Sequence, residues 1–87
     1  MVIWKAKLQI RDKQRIEVPA GATILTSQMQ KDELALWFMC IEGSAKSTRT
    51  IAIYGTGNPM PDNPGKYIST IQLQNGDLVF HVFEIES

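Results

Sequence analysis

Residues Leu34 to Ile41 read LALWFMCI, and whether they form a strand or a helix decides the fold. Read with a period of two, Leu34, Leu36, Phe38 and Cys40 share one face. Ala35, Trp37, Met39 and Ile41 share the other. Asp32, Glu33 and the Leu-Ala opening would also suit a helix start. The run, however, is short and aromatic-rich and ends near Gly43, which favours a strand. A strand apolar on both faces must be covered on both, by a second sheet layer or by a partner subunit.

The flanking sequence keeps the same period. In VIWKAKLQI, Val2, Trp4, Ala6, Leu8 and Ile10 alternate with Lys5, Lys7 and Gln9, with Ile3 the exception, which is the pattern of a half-buried strand. RDKQ then turns the chain, and RIEV follows with Ile16 and Val18 inward, giving an expected N-terminal hairpin. PAGA (Pro19 to Ala22) breaks the second strand, because proline cannot donate to a ladder and glycine weakens one. TILTSQMQ resumes as a third strand, KDE turns, and LALWFMCIE is the fourth.

Beyond the polar EGSAKST, RTIAIYG forms a fifth strand, KYISTIQLQ a sixth and DLVFHVFEI a seventh. The Asn75-Gly76 pair between the last two predicts a type I′ hairpin turn, whose two residues need positive φ. The seventh strand is apolar on both faces, which predicts a central position for it. The expectation is one all-β domain over residues 1–87. It would be a small sandwich or barrel of six or seven antiparallel strands.

Composition bounds the function. The 87 residues support one modest core, and so small a core favours a homo-oligomer in which a partner completes the burial. Trp4, Trp37 and Met39 are the expected interface residues, since large side chains dominate burial at contacts. Nine basic residues balance nine acidic ones. No basic stripe is visible, which disfavours nucleic acid as a partner. No apolar run reaches the ~20 residues that cross a bilayer, and the first residues lack a signal-peptide core. A cytosolic location is expected. Cys40 is the single cysteine, so a cysteine zinc site lacks ligands, and neither metal nor cofactor is implied.

Catalysis is not expected either. His81 is the only histidine, and its cross-strand neighbours over the Asn75-Gly76 turn fall near Thr70 and Ile71. Neither can serve as a carboxylate partner. Strand parity sets His81 with Val79 and Phe83. The carboxylates fall mostly in turns and at strand ends, and no G-x-S-x-G elbow is present.

One segment stands apart. IYGTGNPMPDNPGKYI, Ile53 to Ile68, holds three of the four prolines and half of the six glycines. Gly55-Thr56-Gly57 lacks the lysine of a phosphate loop and the third glycine of a dinucleotide fingerprint. Pro59 and Pro61 rule out a following helix that would present its N-terminus to an anion. Two readings stand for this segment: a small nest of N–H donors with Arg49 supplying charge, or a proline-stiffened corner. The ligand-binding candidates are Arg49, Tyr54, Gly55, Thr56, Gly57, Asn58 and His81.

Taken together, Trp4, PAGATIL (19–25), LALW (34–37), RTIAIYGTGNP (49–59), YISTIQL (67–73) and DLVFHVFE (77–84) resemble a family of small phage and prophage proteins. The likeness runs essentially end to end. Asn58 stands where that family often has histidine, Ser69 replaces a glycine, and Asp77 replaces a small residue. Asn58 could not carry a proton for that histidine. The resemblance implies a virus-encoded protein acting in a bacterial cytosol. It points to a non-enzymatic binder that blocks or sequesters a host component, either a host protein or a small signalling nucleotide. The alternatives are a virion structural or assembly protein and, less favoured, a small nucleotide-processing enzyme.

Overall fold

The computed structural model describes residues 1–86 of the chain. Seven strands follow in order: β1 (Val2–Leu8), β2 (Lys13–Pro19), β3 (Thr23–Gln30), β4 (Glu33–Cys40), β5 (Lys46–Gly55), β6 (Lys66–Leu73) and β7 (Leu78–Ile85). They form two antiparallel sheets, one of three strands ordered β1-β4-β3 and one of four ordered β2-β5-β7-β6. Leu34 to Cys40 lie in a strand, which is the centre of the smaller sheet, and Ile41 falls just beyond its end. The seventh strand is central in the larger one.

Period-two alternation places one apolar face of each sheet in a shared core. Leu34, Leu36, Phe38 and Cys40 of β4 pack in one cluster with Val18, Ile51, Ile53, Ile71 and Val82 of the larger sheet. On the other face of β4, Ala35 is buried while Trp37 and Met39 are half-buried. Ile3, opposite Met39 in register, is 59 % exposed. The second sheet therefore covers one of the two apolar faces of β4.

The expected N-terminal hairpin does not form. β1 pairs with β4 and β2 pairs with β5, so the chain crosses from one sheet to the other at residues 9–12. The Gln14 amide holds that crossing. It donates to the Gln9 carbonyl and accepts from the Gln9 N–H, at 2.7 and 3.0 Å. Alternation reveals which residues face inward but carries no information about which strand is the neighbour. Trp4 and Ile10, expected inward, are 40 % and 43 % exposed. β1 is an edge strand, and it ends at Leu8, before Ile10.

The Asn75-Gly76 turn also differs in detail. β6 and β7 do pair, but the closing pair is Leu73 with Leu78, which leaves a four-residue loop. Gln74, Asn75 and Gly76 all have positive φ, and the Asp77 N–H donates to the Gln74 carbonyl. Three successive left-handed residues reverse the chain where two were expected.

The two sheets meet along a seam where β3 runs beside β6. Each strand carries an irregularity there, between Ile24 and Thr26 and between Tyr67 and Ser69. Ser69, a buried residue, donates its Oγ hydrogen to the Ser27 carbonyl at 2.5 Å and accepts from the Ser27 N–H at 3.2 Å. Ser27 in turn donates its hydroxyl to the Ala35 carbonyl at 2.8 Å. A side chain thus supplies both hydrogen bonds that a ladder would supply between two strands.

A second tie lies at the edge of the core. Arg49 of β5 and Glu84 of β7 both point to the core side and form a forked ion pair through Nε and Nη2. Arg49 Nη1 donates to the Ala22 carbonyl at 2.9 Å, tying the larger sheet to the chain that leads into β3. Nearby, the backbone at Gly65 passes close to β7 with φ of +99°, and a Cβ there would collide with the Glu84 carbonyl. We expect Gly65→Ala to cost more than about 1 kcal/mol of stability, from the forced positive φ and the backbone shift together. The cost would be read as a lower urea midpoint with unchanged slope.

Candidate functional site

The outer face of the larger sheet, away from the core, gathers most of the candidate residues. Register aligns Tyr54 with His81 and His81 with Thr70 in one row. The next row runs Lys13, Ala52, Phe83 and Tyr67. Phe83 lies between two tyrosines with edge-on rings, 5.7 Å from Tyr54 and 5.5 Å from Tyr67 between centroids. Edge-to-face packing favours such a cluster beyond the area it buries. Tyr67 is still 54 % exposed, so the cluster presents an aromatic surface to solvent.

A chain of hydroxyls runs beside it. Tyr67 and Thr70 share a hydrogen bond of 2.7 Å between their hydroxyls. Thr70 Oγ1 lies 3.0 Å from His81 Nδ1, and His81 Nε2 lies 2.7 Å from Thr56 Oγ1. Both ring nitrogens of His81 are therefore occupied by hydroxyls, which accept or donate as the tautomer requires. The histidine fixes the exit of β5 to the face of the sheet. The sequence places Thr70 near His81 across the turn, and the register sets them opposite.

The glycine-rich exit is built as a corner. The Thr56 N–H donates to the Val79 carbonyl and the Asn58 N–H to the Gly55 carbonyl, each at 3.1 Å. Two N–H groups that a nest would aim at an anion are thus already used. Gly57 has φ of +86°, as the third residue of such a tight turn often requires. A Cβ on Gly55 would lie 2.7 Å from Asn58 Nδ2, so Gly55 is what lets the Asn58 amide fold back over the strand end. The stretch is a structural turn that carries Tyr54, Thr56 and Asn58 to one place.

Between this turn and the β1–β2 crossing lies an open cleft of about 510 Å³. Its lining includes Asp12, Lys13, Tyr54, Gly55, Asn58, Pro59 and Pro61. The Ile53 N–H donates to the Asp12 carbonyl at 3.1 Å, which fixes one wall to the other by backbone. Hollows of similar size at the Lys31-Asp32 hairpin and at Asn63–Lys66 have no aromatic wall. A smaller one at the seam, about 180 Å³, includes Tyr67.

The structure thus brings Tyr54, Gly55, Thr56, Asn58 and His81 together, with Gly57 in the turn between them. It sets Arg49 apart. That guanidinium faces the core, and its hydrogen bond to Glu84 raises its pKa above an already high ordinary value. Burial opposes the shift, and the charge of Glu84 reinforces it. Its role is internal, and Lys13 is the cation at the cleft. The three interface candidates also separate, with Trp4 on the core-side face of β1 and Trp37 and Met39 on the opposite face of the smaller sheet.

Tyr67, Lys13 and Asp12 were not singled out from sequence. Simple alternation sets Tyr67 with Ser69 and Ile71, facing inward. The irregularity at Ile68 reverses that parity and turns Tyr67 outward beside Thr70. Lys13 and Asp12 reach the cleft only through the cross-sheet pairing of β2 with β5. Among the described residues, no group of histidine, cysteine and carboxylate side chains is arranged to hold a metal ion. No helix of the described residues is long and apolar enough to cross a membrane.

No curated protein and no solved structure matches this chain. A family model matches residues 1–87, the whole sequence. The chain therefore belongs to the family described as a domain of unknown function, DUF7352.

Proposed function

We propose that the two sheets form a β-sandwich whose outer four-stranded face is a binding platform, and that the protein works by binding rather than by catalysis. The observation that carries this reading is the Tyr54–Phe83–Tyr67 cluster, solvent-facing and flanked by the His81 hydroxyl chain. Rigid aromatic rings supply contact area at low entropic cost, and aromatic anchors dominate binding energy at interfaces. The hydroxyl chain holds the face in one shape before a ligand arrives, which lowers the cost of binding. His81 supports the non-catalytic side of the reading. Its partners are threonine hydroxyls, which do not stabilise an imidazolium as a carboxylate would.

The likeness to phage proteins gives the setting. The protein acts as a viral product in the bacterial cytosol and sequesters a host component, a protein or a small signalling nucleotide. The half-exposed Trp37, Met39 and Ile3 face of the smaller sheet is the place for self-association. Native mass spectrometry of the protein isolated from bacterial cells tests the proposal. The expected result is a host molecule retained in fixed ratio. Tyr67→Ala, a change at an exposed ring, should weaken its retention at least tenfold. Recovery of the protein only as a constant part of purified virus particles, with no host molecule bound, would overturn the proposal in favour of an assembly role.

A further inference from the structure

We infer that the cleft between the β1–β2 crossing and the Gly55–Asn58 turn takes a guanine-type nucleotide. This inference rests on the binding role proposed above and names its ligand class. Three features of the cleft converge on a planar ring with a donor edge. Tyr54 supplies an aromatic wall, and Pro59 and Pro61 supply apolar surface from the loop. Heteroaromatic bases stack on such rings with little regard to sequence, so the wall by itself accepts any base.

Discrimination comes from the polar lining. Asp12 and Lys13 from the β1–β2 crossing and Asn58 from the turn all line the cleft. Among the described residues, no ion pair or side-chain hydrogen bond engages the Asp12 carboxylate or the Lys13 ammonium. Both are free to meet a ligand. A carboxylate only accepts hydrogen bonds. Guanine presents two adjacent donors, its ring N1–H and its exocyclic amine, and a carboxylate can take both at once. Adenine presents one donor next to a bare ring nitrogen, which would set a lone pair against a carboxylate oxygen. Cytosine pairs one donor with two acceptors and has the same conflict. The Asn58 amide can donate to the guanine carbonyl, and Lys13 offers a positive charge for the phosphate. Repulsion of the wrong base does as much for selectivity as attraction of the right one.

The turn geometry supports a built recess. Gly55 lacks a side chain where Asn58 Nδ2 lies, so the amide can approach the strand end at the rim of the cleft. The hydrogen bond from the Ile53 N–H to the Asp12 carbonyl fixes the position of the Asp12 backbone relative to Tyr54.

Titration of the ¹⁵N-labelled protein with GMP, AMP and CMP, followed by NMR, tests the inference. GMP should bind at least tenfold more tightly than AMP or CMP and should shift the amides of Lys13, Tyr54 and Asn58. Asp12→Asn, at an exposed turn residue, keeps the backbone bond to Ile53 and should erase the preference for GMP. Tyr54→Ala, which removes the stacking ring, should weaken GMP binding at least tenfold. Equal affinity for all three nucleotides, or a preference that survives Asp12→Asn, would overturn the guanine assignment. So would shifts confined to another face, or no binding of any nucleotide. Retention of a host molecule in native mass spectrometry is a separate readout, so the wider binding role stands or falls independently.

Discussion

Arg49→Ala should lower the unfolding free energy by about 3 kcal/mol, the lower end of the range for breaking a buried ion pair. The side chains of Arg49 and Glu84 keep 23 % and 13 % of their exposure. Water therefore screens part of the loss, but most of the Glu84 carboxylate would be left in the core edge without its partner. The Ala22 carbonyl would lose its donor as well. Domains of this size hold roughly 5–15 kcal/mol in total, so the change removes a large share. Arg49→Lys keeps the charge but cannot make the forked contact, and it should fall between wild type and alanine.

Replacing both Arg49 and Glu84 by methionine should cost less than Arg49→Ala alone, because no unpaired charge remains. Urea unfolding of the three variants at constant slope measures this. A loss within about 0.5 kcal/mol for Arg49→Ala, the usual range of surface changes, would remove the pair from the account of stability. The pH dependence follows from the raised pKa of Arg49. A base whose pKa rises on folding contributes fully below its unfolded pKa and loses that contribution only as pH climbs through the folded one. For a guanidinium this lies far into alkali. The difference between wild type and Arg49→Lys should therefore not change across the neutral range through titration of residue 49.

The second large effect is expected at the seam. Ser69→Ala removes the hydroxyl that serves both the N–H and the carbonyl of Ser27, a residue with no exposed surface. Each buried backbone group left without a partner costs about 1–3 kcal/mol. Amide hydrogen exchange at Ser27 gives the specific readout. It should quicken in Ser69→Ala more than exchange at Ile53, which lies in the larger sheet away from the seam. Uniform quickening at both sites would mean global destabilisation without a local seam, and unchanged exchange would mean that the Ser69 hydroxyl is dispensable. Ser69→Gly should be no better than alanine here, since it too lacks the hydroxyl.

Much of this architecture was legible in sequence because a strand announces itself locally. The two-residue period in LALWFMCI, the breaks at Pro19 and Gly21, and the apolar faces of β4 and β7 are properties of neighbouring residues. The pairing of His81 with Thr70 followed from counting back across one turn. That count tolerated the error in turn length, because Leu73 opposite Leu78 preserves the same sum of residue numbers. What failed was the inference about which strand neighbours β1. The β1–β2 hairpin was inferred from proximity in sequence, yet those strands lie in different sheets. Arg49 was read as a ligand cation because it shares a strand with Tyr54. Their numbers differ by an odd count, so the pleat sends them to opposite faces, and Glu84 then holds Arg49 inside.

The sequence by itself determined that this protein is all-β and which residues face inward where a strand keeps its regular pleat, because side-chain alternation is a local consequence of that pleat. It also determined where the chain turns, through proline and glycine. Tertiary structure decided the sheet order, the Ser27–Ser69 seam, and the cleft that brings Asp12 and Lys13 to Tyr54 and Asn58. Those depend on pairings between residues tens of positions apart, and on irregularities such as the one at Ile68 that reverse a strand's parity. No local pattern encodes them, because the partner that satisfies a backbone group is fixed only when the whole core closes.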